Sequence, residues 1–262
     1  MPATQAPGKA PGAPSTPPPE GALFHPTVAR LTLRALLGRR RALILFALPA
    51  LLLLLSVVVR LMVDADDDVA VYVLGGFGMA TMVPLVGVIA GTGAIGPEID
   101  DGSVVYLLSK PLRRSSIITT KLVVAVGVAI CFSALPMLLS GFLLNGNGQS
   151  IAVAYAVGSA VAALAYGALF LMIGTISRHA VVFSLVYALL WEALVGNLVP
   201  GARTLSVQQW ATALAEKVAA PGAGVNSDVS YGTSMVLLVV VTVGATWFAG
   251  RRLRSMTVSG DE

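Results

Sequence analysis

Few residues in this chain have the types and spacing that chemistry requires. Gly91-Thr-Gly-Ala-Ile-Gly96 matches G-x-G-x-x-G, the loop that lets a backbone approach a pyrophosphate. It follows no soluble strand, ends an apolar run and has no acid about 20 residues further on, so the setting for a dinucleotide is missing. Gly87 and Gly91 form instead a small-xxx-small pair, which brings two helix backbones close together. No G-x-x-x-x-G-K-[ST] phosphate loop occurs anywhere in the sequence. His25 and His179 stand without a second His, Cys or carboxylate at metal-ligand spacing. The one cysteine, Cys131, sits in an apolar run and has no intrachain disulfide partner. No Ser or Cys has a base at useful spacing, so the chain is expected to carry no active site, metal or cofactor of its own.

One acid lies well inside an apolar segment. Glu192 falls about 18 Å along a helix counted from Ala180, past the midpoint of a bilayer. An ionisable group there is costly and faces a bundle interior or a water-filled pathway. Two readings follow: a pathway carboxylate, or an acid near the outer end bonded to Asn197 or to a neighbouring helix. Arg60, with Asp64 four residues on, reads as a snorkelling cation near the outer surface.

The elements that hold these residues are strongly apolar. Of the 262 residues 56% are hydrophobic and 11% charged, against roughly 25% charged in a soluble domain. The mean hydropathy is +0.84. Seventeen basic and thirteen acidic side chains cannot coat a soluble globule of this size, so the solvent is largely lipid. Soluble enzymes, nucleic-acid binders and disulfide scaffolds are thereby excluded.

A spanning helix needs about 20 apolar residues. Six segments reach that length, at about 42–62, 69–96, 117–144, 151–176, 180–199 and 231–250, with Pro49, Pro84 and Pro136 as tolerated kinks. Fourteen of the seventeen Lys and Arg residues then fall on the side of the N-terminus, leaving Arg60, Arg203 and Lys217 opposite. That asymmetry places both termini in the cytoplasm. Residues 24–41 carry apolar positions at helical spacing among Arg30, Arg34, Arg39, Arg40 and Arg41, the pattern of an interfacial helix leading into a span. Residues 1–23, with seven prolines among the first 20, read as a disordered tail, and 255–262 as a short cytoplasmic one.

Two connections are richer in pattern. On the inner side, Pro97 to Arg114 sets acids and Gly102 before a short apolar turn, Val104 to Leu108, which Pro111 then stops. Its apolar face fits either a groove in a soluble partner or the headgroup region. On the outer side, Ser206-Val-Gln-Gln209 is a capping-box signature, followed by Val207, Trp210, Ala211, Leu214 and Val218 on one helical face. This element is either a helix resting on the outer leaflet or part of an outer gate, with Ser206, Gln209, Trp210 and Leu214 as its marking residues.

The inner loop, with Glu98, Gly102-Ser103, Leu107-Leu108-Ser109-Lys110-Pro111 and Arg113-Arg114, and Lys121 opening the third span, resembles the first cytoplasmic loop of type-2 ABC exporter permeases. The interfacial elbow helix, six spans and extra helical structure before the last span are similar to that family over residues 24–254. The Trp191-Glu192 pair and the segment through Pro200 look like actinobacterial members. The resemblance implies an all-α polytopic permease of the bacterial plasma membrane, paired with a second identical or paralogous copy. It also implies a separate cytoplasmic ATPase subunit, on which ATP and Mg2+ reside. Glu98, Asp101, Gly102, Tyr106, Leu107, Leu108, Lys110, Pro111 and Arg113 would form the helix that docks on that ATPase. A fused ATPase and a large outer domain, present in some members, have no counterpart in this sequence.

Two other classes stay open beside this one. A secondary transporter driven by an ion gradient commonly places several carboxylates or broken helices at the midplane, where this chain has one acid. A non-transporting scaffold that recruits a cytoplasmic protein needs only the inner loop.

Overall fold

The computed structural model describes residues 26–63, 66–96, 114–177, 179–195 and 201–255. The Pro-rich tail, His25, Asp64, the inner loop 97–113, Asn197 and the last seven residues lie outside them. Among the described residues 88% are helical and none is in a strand. Five helices are long and apolar enough to cross a membrane: Arg41–Met62, Asp67–Gly93, Ser116–Asn145, Gly148–Ile176 and Tyr231–Arg252.

In chain order, α1 is Pro26–Leu36 and α2 is Arg39–Met62. α3 runs Asp67–Gly93, α4 Arg114–Asn145 and α5 Ile151–Ile176. α6 begins at Ala180–Val186 and continues as a wider coil over Tyr187–Val195. α7 is Val207–Val218 and α8 Tyr231–Ser255. The apolar part of α6, Ala180–Glu192, is shorter than the other five long helices.

α5 is the hub, packed against α3, α4, α7 and α8. Its composition explains that position. Ala152, Ala154, Gly158, Ala162, Ala163, Ala165, Gly167 and Ala168 are all buried on it, and small side chains let neighbouring backbones come close where lipid gives helices no hydrophobic drive to associate. A Cβ added at Gly158 would lie 2.9 Å from the Ala211 carbonyl oxygen of α7. α2 and α8, in contrast, keep large apolar residues such as Leu43, Leu61, Val236 and Val243 exposed, as lipid-facing helices do.

Gly87 and Gly91, on α3, serve the close packing that their spacing suggests. A Cβ at Gly87 would stand 2.7 Å from Cβ of Tyr166, and one at Gly91 2.7 Å from Cβ of Phe170 and 3.0 Å from the Leu171 backbone nitrogen. Gly91, the first glycine of the apparent nucleotide motif, therefore lies with Gly87 in a helix–helix seam.

Proline shapes α3 in a way that spacing alone does not show. Val73–Met82 forms an i→i+5 coil, and the Val83 amide bonds back to the Gly78 carbonyl oxygen. Pro84 follows, with no amide hydrogen to continue an α ladder, so the register widens just before it. At its other end, Asp66 caps the start of α3 by accepting from the Val69 amide at 3.0 Å. Asp67 accepts from Asn145 Nδ2 at 2.6 Å and Gln149 Nε2 at 2.7 Å, tying that start to the turn between α4 and α5.

Gly91→Leu is expected to force α3 from α5 and destabilise the protein by about 1–3 kcal/mol. Gly244→Ala, where an added Cβ meets nothing within 4 Å, should be neutral or slightly stabilising. Thermal unfolding of the purified variants in detergent checks the pair; equal midpoints would remove the seam from the packing argument.

Candidate functional site

Glu192 is fully buried, and the local coil explains how it gathers its partners. In an α-helix, positions five apart lie about 140° round the axis from one another. The i→i+5 coil over Tyr187–Val195 closes that angle, and the Tyr187 hydroxyl donates to Glu192 Oε1 at 3.1 Å. The carboxylate then meets the start of α7. The Ser206 hydroxyl donates to Oε2. The Val207 amide donates to Oε1 at 3.0 Å and the Gln208 amide reaches Oε2 at 3.4 Å. Glu192 thus satisfies two of the orphan amides that open any helix, with its charge at the positive end of the α7 dipole. The Tyr166 hydroxyl of α5, also buried, faces the same carboxylate without forming a hydrogen bond of ordinary geometry.

Ser206 is the N-cap of α7, and its hydroxyl accepts from the Gln209 amide at 3.3 Å. Only this half of the capping box forms. The Ser206 amide donates to the Arg203 carbonyl at 3.1 Å, while the Gln209 side chain receives the Ser227 hydroxyl at 3.4 Å. The Arg203 carbonyl takes the place of the missing half, and Glu192 serves the next two amides, those of Val207 and Gln208. Trp210 is buried, and its indole donates to the Thr204 carbonyl at 2.8 Å. Trp191 reaches the Leu205 carbonyl at 3.4 Å. Val207, Trp210 and Ala211 are buried, Leu214 is half-buried, and Val218 projects outward. Gln208, Thr212, Ala213 and Ala215 are buried as well, so α7 is enclosed by α5 and α8 on more than the one face its apolar spacing marks. Arg203 pairs with Asp228 at 2.5 Å and closes the outer segment onto itself.

The carbonyl end of α3 is organised by cations. Arg41 of α2 donates to the Gly93 carbonyl oxygen at 3.2 Å. Lys121 of α4, a buried side chain, donates to the Ala94 carbonyl oxygen at 2.5 Å. Both hold the carbonyl end of α3, whose last carbonyls lack intrahelical partners. Three residues later the chain enters 97–113. Glu98, Asp101, Gly102, Tyr106, Leu107, Leu108, Lys110, Pro111 and Arg113 all lie outside the described residues. Beside this clamp is an apolar cavity of about 260 Å3 between α2, α3 and α6, lined by Ile44, Leu48, Val88 and Leu185 with Arg41 at one end. Glu192 does not line it.

Among the described residues no group of three or more His, Cys, Asp or Glu could hold a metal ion. His179 is exposed and Cys131 is a free, exposed thiol. Arg60 does more than snorkel: its guanidinium donates to the Leu144 carbonyl at 3.1 Å, closing the outer end of α4. Sequence reasoning passed over Tyr166, Tyr187 and the cavity-lining Arg41. Only the unusual pairing of Tyr187 with an acid five residues on signals the first group.

Glu192→Ala should free the first turn of α7 and lower stability by about 2–4 kcal/mol, since a buried charge-assisted cluster is lost. Ser206→Ala should cost about 1 kcal/mol, the value of an N-cap. Hydrogen exchange over 206–213 and the thermal midpoint report both effects. Unchanged protection in Glu192→Ala would show that α7 does not depend on the carboxylate.

A search of curated proteins finds no match to this chain. A family profile described as ABC-2 family transporter protein does match, over residues 51–249, a stretch that runs from within α2 to within α8 and includes the end of α3, Lys121, Glu192 and all of α7. With five helices fit to cross a bilayer and more than half its length in that match, this multi-pass membrane chain belongs to the ABC-2 family of transporter proteins.

Proposed function

We propose that this chain is the membrane subunit of an ABC exporter, working with a separate ATPase chain and a second permease copy or paralogue in the bacterial plasma membrane. The match to the ABC-2 family over residues 51–249 is the observation that carries this reading. In this reading α6 is the sixth span, completed by residues beyond Val195, and α1 is an elbow helix at the cytoplasmic surface. The distribution of Lys and Arg supports cytoplasmic termini. Residues 24–254 form the permease unit.

ATP and Mg2+ would act on the partner, since the sequence holds no phosphate loop. The segment 97–113 would be the coupling element, with Leu107 and Leu108 as apolar anchors and Glu98, Asp101, Gly102, Tyr106, Lys110, Pro111 and Arg113 around them. Two arrangements of the bundle are driven apart only by a partner that binds them unequally. Nucleotide-dependent closure of the ATPase supplies that difference. Its push would enter at the end of α3, where Arg41 and Lys121 join α2 and α4 to the same carbonyls. At the outer side, Glu192 would act on the pathway by fixing α7, with Ser206, Gln209, Trp210 and Leu214 forming the outer gate. Efflux of substrate follows from inward loading and outward release.

The test is co-expression with the ATPase subunit encoded nearest to this chain, followed by gentle detergent extraction. Wild type should retain the ATPase. The double variant Leu107→Asp, Leu108→Asp should insert normally and lose retention and coupled hydrolysis by about tenfold or more, as removal of two buried anchors implies. Full retention and hydrolysis in the double variant would remove the coupling role from this loop. Transport that stops with a protonophore but survives ATP depletion would replace the exporter with a gradient-driven carrier.

A further inference from the structure

A groove of about 640 Å3 runs beside the contact between α1 and α4. Arg30, Leu33 and Leu37 line one wall, and Val123, Gly127 and Cys131 line the other. Leu33 and Leu37 are each 41% exposed and Val123 52%, so the groove opens sideways. The α4 wall from Val123 to Phe132 rises about 14 Å along the helix. An apolar slot of that length gives water no partners, and an empty one leaves its lining without contacts. Its single charged lining residue, Arg30, makes no hydrogen bond or ion pair among the described residues. Arg34 stands exposed one turn further along α1, likewise unpaired. α1 contains no acid, and two like charges at i and i+4 repel unless an anion lies between them.

We propose that this groove holds one acyl chain of an anionic phospholipid, whose phosphate sits against Arg30 with Arg34 beside it. The chain of the lipid fills the space between Leu33, Val123 and Gly127, and its far end reaches Cys131. The guanidinium supplies paired donors that match a phosphate. The lipid would then extend the direct packing of α1 on α4, filling the apolar space that the two helices leave beside their contact. The inference requires only that the chain lies in a bilayer, and not that it couples to an ATPase.

The experiment is native mass spectrometry of the purified full chain after equilibration with equal phosphatidylglycerol and phosphatidylcholine. Wild type is expected to retain one phosphatidylglycerol per chain in preference to phosphatidylcholine by about fivefold or more, the scale of one or two basic contacts at a membrane surface. Arg30→Gln should abolish the preference and Arg30→Lys should keep most of it. Gly127→Phe should reduce retention of both lipids, because an added Cβ there meets nothing within 4 Å and the ring would occupy the slot. Arg30 is exposed, so Arg30→Gln should fold normally, and an unchanged thermal midpoint verifies this. An undiminished preference in Arg30→Gln, or wild-type retention in Gly127→Phe, overturns the proposal. So does a wild type that retains no lipid while Cys131 cross-links between copies, which would put a second chain on this face. Loss of ATPase co-purification would leave each of these results standing.

Discussion

A helix in lipid has no water to finish its ends, and this constraint orders the polar chemistry of the molecule. The first amides and last carbonyls of each helix lack partners within the helix, and hydrocarbon offers none. The chain answers with its few charged residues. Arg41 and Lys121 close the carbonyl end of α3, Arg60 closes that of α4, and Glu192 closes the amide end of α7. In each case the sign of the charge is opposite to that of the helix end it meets. Charges that look expensive in an apolar sequence are thus bonded to backbone groups that would themselves be costly if left alone.

The same constraint explains why Glu192 can be buried without a cation among its hydrogen-bond partners. It takes the Ser206 hydroxyl, two backbone amides and the Tyr187 hydroxyl, with Tyr166 facing it. These donors leave no carboxylate oxygen of Glu192 without a partner. The result joins three elements: α6 supplies the acid, α7 the amides and α5 the wall. Small residues on α5 permit this, because α7 approaches its backbone directly at Gly158.

Much of this was legible in the sequence, and the limits have physical causes. The long apolar runs gave the helices because a membrane imposes a length, and Gly87 with Gly91 gave the seam because small residues four apart face one way. Glu192 stood out because an acid in an apolar run is rare. Its partners were hidden for two reasons. Tyr187 reaches it only through an i→i+5 coil, which no periodic pattern encodes, and Ser206 to Gln208 reach it by tertiary packing across fourteen or more residues. Lys121 reads in sequence as the cation that opens the third span, but sequence gives its charge and not its depth; it is buried on the α3 terminus. Gln209 carries the residue type of a capping box, but its side chain meets Ser227, and the Ser206 amide it would take bonds to the Arg203 carbonyl.

Joining the ends of helices through side chains has a mechanical consequence. The carbonyls of Gly93 and Ala94 belong to one helix, yet the hydrogen bonds they accept come from α2 and α4. A displacement of α3 at this end must move those two helices with it or break both bonds. The break would take a donor from each of the two carbonyls, a penalty of about 1–3 kcal/mol apiece that favours collective motion. At the opposite surface α7 is tied to α6 and α5 in the same manner. α5 therefore lies between one cluster, α2 with α3 and α4, and another, α6 with α7, packing directly on α3, α4 and α7. In the proposed exporter, force applied beyond Gly96 would pass through this hub before it reached the outer helix, and the Gly87–Gly91 seam is the contact that would carry it from α3 to α5.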